Sequence, residues 1–151
     1  MDKIKSFQID HNKLTEGIYI SRTDGDIVTY DLRTRKPNAG EYMDNVTMHT
    51  VEHMFATYVR NSLIGDHIIY FGPMGCQTGF YLLVKNESPQ KVLEVTKEVL
   101  NKIINHQGEV FGASAIECGN YKNLDLSAAK KECRRYLDVL LSKEWDFKYK
   151  E

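Results

Sequence analysis

A short turn sequence between two β-prone segments places the strongest constraint on the fold of this chain. Thr23-Asp24-Gly25 separates the run IYISR (18–22) from the run DIVTYDLR (26–33). Asp-Gly between two such runs is typical of a β-hairpin, because glycine accepts the backbone conformation that a tight turn needs. We therefore expect antiparallel strands near the start of the chain.

The remaining apolar spacing predicts two more strands and three helices. The strands are expected at 67–71 and 80–85, and the helices over 47–62, from Ser88-Pro89, and from Asp125 or Ser127. Asp44 or Asn45 is expected to cap the first helix. Strands joined by at least one hairpin and followed by helices favour an α+β fold, with an antiparallel sheet packed with helices. A chain of 151 residues without a linker suits one domain, residues 1–151.

The bulk composition argues against several classes of partner. Twenty basic and 21 acidic residues give a net charge of -1, whereas nucleic-acid-binding proteins usually carry a basic excess. No apolar run approaches the length of a membrane span, and MDKIKSFQID at the N-terminus lacks the apolar region of a secretory signal. Three scattered cysteines are too few for a disulfide framework. These features favour a cytoplasmic protein that binds neither nucleic acid nor membranes.

The five residues HTVEH (49–53) indicate a metal site on the first long helix. Side chains four apart on a helix lie about 6 Å apart at Cβ, so His49 and His53 can hold one divalent ion. Glu52 can point towards the open side of the ion without binding it. The order H-x-x-E-H occurs in metal-dependent hydrolases. So short a motif also recurs by chance in helices whose histidines are solvated or packed.

Two cysteines are candidates for a third ligand. Cys118 precedes a glycine in an irregular segment where a thiolate can reach a metal, although a lone cysteine is also commonly a small buried residue. Cys76 lies in the glycine-rich loop GPMGCQTG, where the backbone can approach a ligand closely. If both cysteines bind, the site is closed and structural; if one binds, an open position allows catalysis. Cys133 follows the apolar stripe of the last helix and is expected in the core.

Several longer motifs resemble one known family. HTVEH, GPMGCQTGFYL (72–82) and ECG (117–119) together look like S-ribosylhomocysteine lyase, the LuxS family. SFQIDHN (6–12) and YDLRTRKPN (30–38) are similar to its pattern as well. The match runs in order over nearly the whole chain, and PMGCQTGFYL is far more specific than H-x-x-E-H. The sequence is therefore identified as a member of this family.

The resemblance implies an activity and an assembly. The family cleaves S-ribosylhomocysteine to homocysteine and 4,5-dihydroxy-2,3-pentanedione, the precursor of a furanone-type signalling molecule used in quorum sensing. It is a homodimeric α+β metalloenzyme with two active sites at the subunit interface. The resemblance implies one divalent metal per subunit, with Fe²⁺ as the native ion and Zn²⁺ or Co²⁺ able to occupy the site.

The resemblance also implies roles for individual residues. The implied metal ligands are His49, His53 and Cys118, with water as the fourth. The implied acid/base pair is Cys76 and Glu52, and the implied substrate contacts are Ser6, His11, Arg33 and Arg60. Arg60 lies two helical turns after His53, about 10 Å along the axis. This distance roughly matches the reach from the sugar to the amino-acid carboxylate of the substrate.

The implied reaction explains why these residue types are needed. The thioether leaves from C5 of the ribose, so the carbonyl must migrate from C1 to C2 and then to C3. A carbonyl at C3 acidifies the C4 proton, and β-elimination then expels homocysteine. Each step moves a proton next to a carbonyl, for which a Cys76 thiolate and Glu52 are suited. A divalent ion on the sugar oxygens would stabilise each enediolate.

Two positions depart from the family pattern. Tyr70 stands where the family usually has an aspartate, six residues before the catalytic cysteine, and Gly72 stands where it has a serine. Because the metal and acid/base sets are intact, these changes are expected to alter substrate affinity more than the type of reaction.

Three other interpretations compete with this one. A small H-x-x-E-H metallopeptidase would use Glu109 or Glu117 as its third ligand. A zinc-stapled module without activity would use His49, His53, Cys76 and Cys118. The third alternative is a related lyase whose substrate has changed, given Tyr70.

Overall fold

The computed structural model of the protein describes residues 1–151 as a four-stranded antiparallel sheet with its three long helices packed on one face. The strands are β1 (Gly17–Asp24), β2 (Ile27–Arg33), β3 (Ile68–Pro73) and β4 (Gly79–Lys85), in the spatial order β1-β2-β4-β3. The helices are α1 (Lys5–Gln8), α2 (Asn45–Arg60), α3 (Pro89–Ile104) and α4 (Leu126–Leu141), and a short 3₁₀ turn covers Gly65–His67. The predicted α+β class with an antiparallel sheet is confirmed.

The predicted hairpin joins β1 to β2. Asp24 pairs with Ile27, so the connecting loop has two residues and lies one position later than the sequence suggested. Gly25 takes a φ of +57° in this loop, a conformation that glycine adopts without a steric penalty. The hairpin fixes which side chains of β2 face the helices.

The two faces of the sheet differ sharply in character. Tyr30, Leu32 and Leu82 face the helices and belong to a core of 27 buried residues. Asp31 and its cross-strand neighbours Tyr19 and Tyr81 occupy the opposite face. This alternation follows from the two-residue period of a strand. The helix-covered face stabilises the fold, and the other face carries polar groups close to the predicted site.

The helix ends follow the capping signals in the sequence. The Asp44 side chain accepts a hydrogen bond from the Thr47 backbone N–H at 2.8 Å, and Asp125 does the same for Ala128 at 3.1 Å. Ser88 caps α3, which starts with Pro89. The sequence left two cap residues open for α2 and for α4, and in both cases the aspartate is the cap. None of the helices has the length and apolar character needed to cross a bilayer.

The structure differs from the sequence prediction at the end of α2. The helix ends at Arg60 and not at residue 62, because the chain turns there through hydrogen bonds to the Tyr58 and Val59 carbonyls. Tyr58 itself packs against the core and is half-buried, and its hydroxyl lies 2.7 Å from His106 Nδ1. Cys133 is buried on α4 as predicted, and burial raises the pKa of its thiol far above the ordinary value.

Candidate metal and acid/base site

Helix α2 brings His49 and His53 to one face, where Cys118 joins them. The two imidazole rings lie 4.6 Å apart between centroids. The Cys118 sulfur lies 3.4 Å from His49 Nε2, and one ligand atom from each of the three residues lies within 4.8 Å of the others. All three side chains are half-buried. Two imidazoles and one thiolate so arranged form a donor set that suits a divalent transition metal.

Backbone carbonyls fix the orientation of both imidazoles. His49 Nδ1 lies 2.8 Å from the carbonyl of Asn123, and His53 Nδ1 lies 2.8 Å from the carbonyl of Phe111. A carbonyl only accepts, so each Nδ1 carries the proton and each Nε2 keeps a free lone pair. The Asn123 side-chain nitrogen also lies 3.2 Å from His49 Nδ1, but the shorter carbonyl contact sets the tautomer. A metal-ligating histidine typically donates its other ring N–H to a carbonyl in this way, which fixes the orientation of the ring.

The irregular segment 109–124 supplies these carbonyls and the thiol. It is tied to α2 by Asn123, whose side chain donates to Asn45 at 2.6 Å, and by the Asp125 N–H, which donates to Thr50 at 2.9 Å. Gly112 packs against the imidazole of His53, since a Cβ there would lie 3.1 Å from Nδ1, and its φ is +71°. The role of Gly112 was not predicted from the sequence. It appeared there only as a glycine in a segment already expected to hold a ligand.

The cluster has three protein ligands and no fourth, which is the composition of a metal site with one open coordination position. The backbone N–H of Asn120 donates to the Cys118 sulfur at 3.4 Å. Cys76, Glu109 and Glu117 are not members of the cluster, and the Glu117 carboxylate instead accepts from Ser114 at 2.7 Å. The closed two-histidine, two-cysteine site and the peptidase-type carboxylate ligand are therefore not formed. Three protein ligands leave one position of a tetrahedral ion free.

Glu52 lies between two surface depressions beside the histidines. One, of about 260 Å³, is lined by Glu52, His53 and Phe111, among others. The second, of about 250 Å³, is lined by His49, Glu52 and Pro73. Glu52 is half-buried and is not part of the ligand cluster. The carboxylate therefore borders space in which a small molecule next to the cluster would lie.

Cys76 lies in the loop between β3 and β4. The loop is closed by backbone hydrogen bonds from Met74 to Gly79 at 2.9 Å and from Gln77 to Met74 at 3.1 Å. Gln77 adopts a φ of +66°. Cys76 is exposed, and its sulfur lies 3.0 Å from the Thr78 hydroxyl. Since Pro73 opens this loop and also lines the depression beside His49, the loop borders the metal cluster without contributing a ligand.

Arg33 lies beneath Cys76 and is almost completely buried. Its Nε and Nη2 donate to the Asp31 carboxylate at 3.0 and 2.7 Å, and its Nη1 approaches the Cys76 sulfur at 3.9 Å. Burial lowers the pKa of Arg33, but the charge of Asp31 and the hydrogen bonds to it outweigh burial and raise the pKa. A bidentate pair of this kind holds the guanidinium in one orientation.

The other residues predicted to contact substrate occupy different places. Ser6 is half-buried and hydrogen bonds to Tyr81, whose pKa is raised by burial and then by the charge of Asp31. His11 is half-buried, and its Nδ1 contacts the Ile9 carbonyl at 2.9 Å. Arg60 is exposed and donates to a backbone carbonyl of β3 at 3.4 Å. Ser6 therefore lies in the neighbourhood of Arg33 and Cys76, whereas Arg60 lies exposed at the end of α2.

Fold and site together define a class of protein: a small α+β protein with an open histidine–cysteine metal cluster, flanked by a carboxylate and a loop thiol. A sequence profile of the S-ribosylhomocysteinase (LuxS) family matches residues 4–146. The chain belongs to this family.

Individual relatives support the same assignment. An S-ribosylhomocysteine lyase of Finegoldia magna is 46% identical over 145 residues, which cover 93% of this chain and 92% of the relative. Proteins of the same name from Desulfotalea psychrophila and Borreliella afzelii are 43% and 42% identical over 147 and 156 residues. The alignment with the Borreliella protein covers 99% of both chains. The alignment therefore spans the positions of the histidine–cysteine cluster, the glycine-rich loop and the N-terminal segment.

Proposed function

We propose that this chain cleaves S-ribosylhomocysteine to homocysteine and 4,5-dihydroxy-2,3-pentanedione. The observation that carries the proposal is the cluster of His49, His53 and Cys118, in which both Nε2 lone pairs are free and the fourth position is open. Its position beside Glu52 and the Cys76 loop provides two acid/base groups. Membership of the S-ribosylhomocysteinase family connects this arrangement to carbon–sulfur bond cleavage.

The residues present fit one divalent metal ion per chain. Each Nδ1 donates to a carbonyl, so Nε2 is the nitrogen that each imidazole offers to a metal. The backbone N–H of Asn120 stabilises negative charge on the Cys118 sulfur. This donor set suits Fe²⁺, with Zn²⁺ or Co²⁺ as substitutes. When bound, such an ion supplies Lewis-acid stabilisation of negative charge on the sugar oxygens.

Glu52 and Cys76 divide the proton transfers. Carbonyl migration along the ribose requires a proton to be removed from one carbon and returned to its neighbour. Glu52 borders both depressions beside the cluster, so its carboxylate reaches a sugar held there. Cys76 approaches from the loop after β3, with Arg33 and Thr78 next to its sulfur. The guanidinium and the hydroxyl can each donate a hydrogen bond to the sulfur when it accepts a proton from the substrate.

We further propose that the substrate contacts are Ser6, His11, Arg33 and Arg60, and that the active form is a homodimer with active sites at the interface. Helix α1 supports the dimer, because none of its residues is buried and Phe7 is exposed. Arg60 has a free guanidinium for the amino-acid carboxylate. The proposed setting is the cytoplasm, where the dione would serve quorum sensing as the autoinducer precursor and homocysteine would return to the methyl cycle.

The proposed function is tested by supplying S-ribosylhomocysteine to the metal-loaded protein and measuring free homocysteine thiol after the protein is removed by filtration. Wild-type protein is expected to release thiol in proportion to time and enzyme. Cys76→Ala and Glu52→Gln are expected to keep the metal and the fold and to lose thiol release, because each removes an acid/base group outside the ligand set. No release from metal-loaded wild-type protein would refute the function. Loss of metal from Cys76→Ala would favour a structural zinc site.

A further inference from the structure

The C-terminal segment after α4 folds back onto the hairpin of β1 and β2. The Phe147 carbonyl accepts a hydrogen bond from Ile20 of the edge strand β1 at 2.8 Å, and the Phe147 side chain is buried in the core. The Tyr149 ring stacks on Tyr19, with 4.9 Å between centroids and 17° between planes. The chain end is therefore held on the polar face of the sheet, two strands away from the loop that carries Cys76.

Tyr149 completes the hydrogen bonding of a buried carboxylate. Its hydroxyl donates to Asp31 at 2.8 Å, and Arg33 donates twice to the same carboxylate. The exposed fractions of Asp31 and Arg33 are 0% and 2%. Burial, followed by the charge of Asp31, raises the pKa of Tyr149 far above its ordinary value, so the phenol stays protonated and donates. A buried carboxylate that loses one donor is costly, which ties the chain end to this ion pair.

The ion pair determines the direction of the hydrogen bonds that reach Cys76. With Nε and Nη2 engaged by Asp31, Arg33 directs Nη1 to the Thr78 hydroxyl at 2.8 Å. A guanidinium only donates, so the Thr78 oxygen accepts this bond and its own proton is free. The nearest acceptor for that proton is the Cys76 sulfur at 3.0 Å. The chain of bonds therefore ends with a donor aimed at the sulfur.

We infer that Tyr149 and Thr78 are positioning residues for Cys76, through a relay of hydrogen bonds that runs from Tyr149 through Asp31, Arg33 and Thr78 to the Cys76 sulfur. The inference rests on the proposed function for the role of Cys76 as acid and base. Neither Tyr149 nor Thr78 contacts the metal cluster. Tyr149 fixes Asp31, Asp31 fixes the guanidinium, and Thr78 delivers the last hydrogen bond. The charged and titratable groups coupled to Cys76 are Arg33 and Tyr81, and Asp31 and Tyr149 lie behind Arg33.

The reactivity of the Cys76 thiol reports the effect of this relay on the sulfur and requires no substrate. The zinc-loaded protein is treated with iodoacetamide across a pH series, and modification of the Cys76 peptide is followed by mass spectrometry. The thiolate displaces iodide, so the rate at neutral pH reports how well the surroundings stabilise it. Tyr149→Phe is expected to slow Cys76 alkylation at pH 7 by roughly threefold to tenfold, with the same rate at high pH, since tenfold corresponds to one pH unit. Thr78→Val should act in the same way, and Thr78→Ser should keep the wild-type profile.

Tyr136→Phe is the matched control. Tyr136 is buried, and its hydroxyl donates to the Gly17 carbonyl at 2.9 Å, so the variant loses a comparable hydrogen bond that does not belong to the relay. The inference is overturned if the Tyr149→Phe profile coincides with wild type or shifts no more than that of Tyr136→Phe. If Tyr149→Phe does not fold, the comparison of Thr78→Val with Thr78→Ser tests the inference. Equal pH profiles of Cys76 alkylation in these two variants would overturn it. A shifted profile in a protein that releases no homocysteine would refute the proposed function and leave the relay standing.

Discussion

The ring of Tyr70 lies directly over Gly72 on β3 and fills the space that a side chain at position 72 would occupy. A Cβ on Gly72 would lie 2.6 Å from Cζ and 2.8 Å from Cε2 of Tyr70, closer than carbon atoms pack. These are the two positions at which the sequence analysis identified a departure from the family pattern. The two positions are therefore structurally coupled, because the ring at position 70 occupies the space that a side chain at position 72 would need.

Gly72→Ser is expected to destabilise the protein by about 1 kcal/mol, at the low end of the cost of overpacking, because the half-exposed Tyr70 ring can swing outward. In a Tyr70→Asp background the same substitution should cost almost nothing, since the space is then free. Urea unfolding of the four proteins measures the difference as a coupling free energy. Equal costs in both backgrounds would show that the two positions are independent.

The local structure could be predicted from the sequence at positions where a single residue type determines it. Asp44 and Asp125 cap their helices, and Asp24-Gly25 starts the hairpin, because each depends on neighbours within about four residues. The two histidines of HTVEH share a face because helical spacing places them there. The residues alone gave Cys118 and Cys76 as candidate third ligands, and the resemblance selected Cys118, since nothing local indicates which segment folds back onto α2.

The groups that orient the metal ligands could not be predicted from the sequence. His49 and His53 are held by the carbonyls of Asn123 and Phe111, and every residue has a carbonyl, so these partners leave no signature in the sequence. The contact between Tyr149 and Asp31 joins residues 118 positions apart and depends on the path of the chain end. Helix α1 was missed because four residues are too few to show a period.

Removal of one histidine tests the ligand assignment. His49→Ala is expected to lose most of the bound metal, because the two remaining ligands hold a divalent ion poorly. Elemental analysis of dialysed protein measures the metal content per chain. His67→Ala is the control, since His67 also bonds to a carbonyl, at 2.8 Å, but lies outside the cluster. Full occupancy in His49→Ala would rule out the three-ligand site.

Gly112→Ala is expected to weaken metal binding through His53. The φ of +71° disfavours alanine, and the added Cβ would press on the imidazole at 3.1 Å from Nδ1 and 3.3 Å from Cε1. We expect a loss of about 1 kcal/mol of stability and about tenfold weaker metal affinity, as for other changes in the shell around a ligand. Competition with a zinc chelator gives the affinity.

Gly108→Ala is the control that separates backbone strain from contact with the His53 imidazole in the metal-affinity measurement. Gly108 also has a positive φ, +99°, but no atom lies within 4 Å of the position of its Cβ. This control should lose stability and keep its metal affinity. If both variants bind metal equally well, Gly112 contributes only backbone freedom and does not orient His53.

A homodimer is expected in solution. Ile4, which precedes α1, and Phe7 within it are exposed by 60% and 70%, and no residue of α1 is fully buried; exposed apolar groups of this kind mark contact surfaces. Light scattering should give twice the chain mass, and Phe7→Asp should shift the protein towards the monomer. Leu63→Asp, which changes an equally exposed residue outside the N-terminal segment, should remain dimeric. A wild-type monomer with full activity would contradict the prediction.

Tyr70 is expected to weaken recognition of the amino-acid end of the substrate. An aspartate there could pair with the substrate ammonium group through a charge-assisted bond of about 1.5–3 kcal/mol. Tyrosine offers a neutral hydroxyl or a cation–π contact of about 0.5–2 kcal/mol. Arg60 still provides a guanidinium for the carboxylate, so binding is reduced and not abolished.

Tyr70→Asp is therefore expected to lower KM for S-ribosylhomocysteine by several-fold with kcat nearly constant. The contact is remote from the bonds that break, so it contributes equally to the ground state and the transition state. Steady-state kinetics of homocysteine release measures both constants. Tyr70→Phe serves as the control, since it keeps the ring over Gly72, adds no charge and should leave KM close to wild type. An unchanged or raised KM in Tyr70→Asp would mean that Tyr70 has its own adapted role at this position or none.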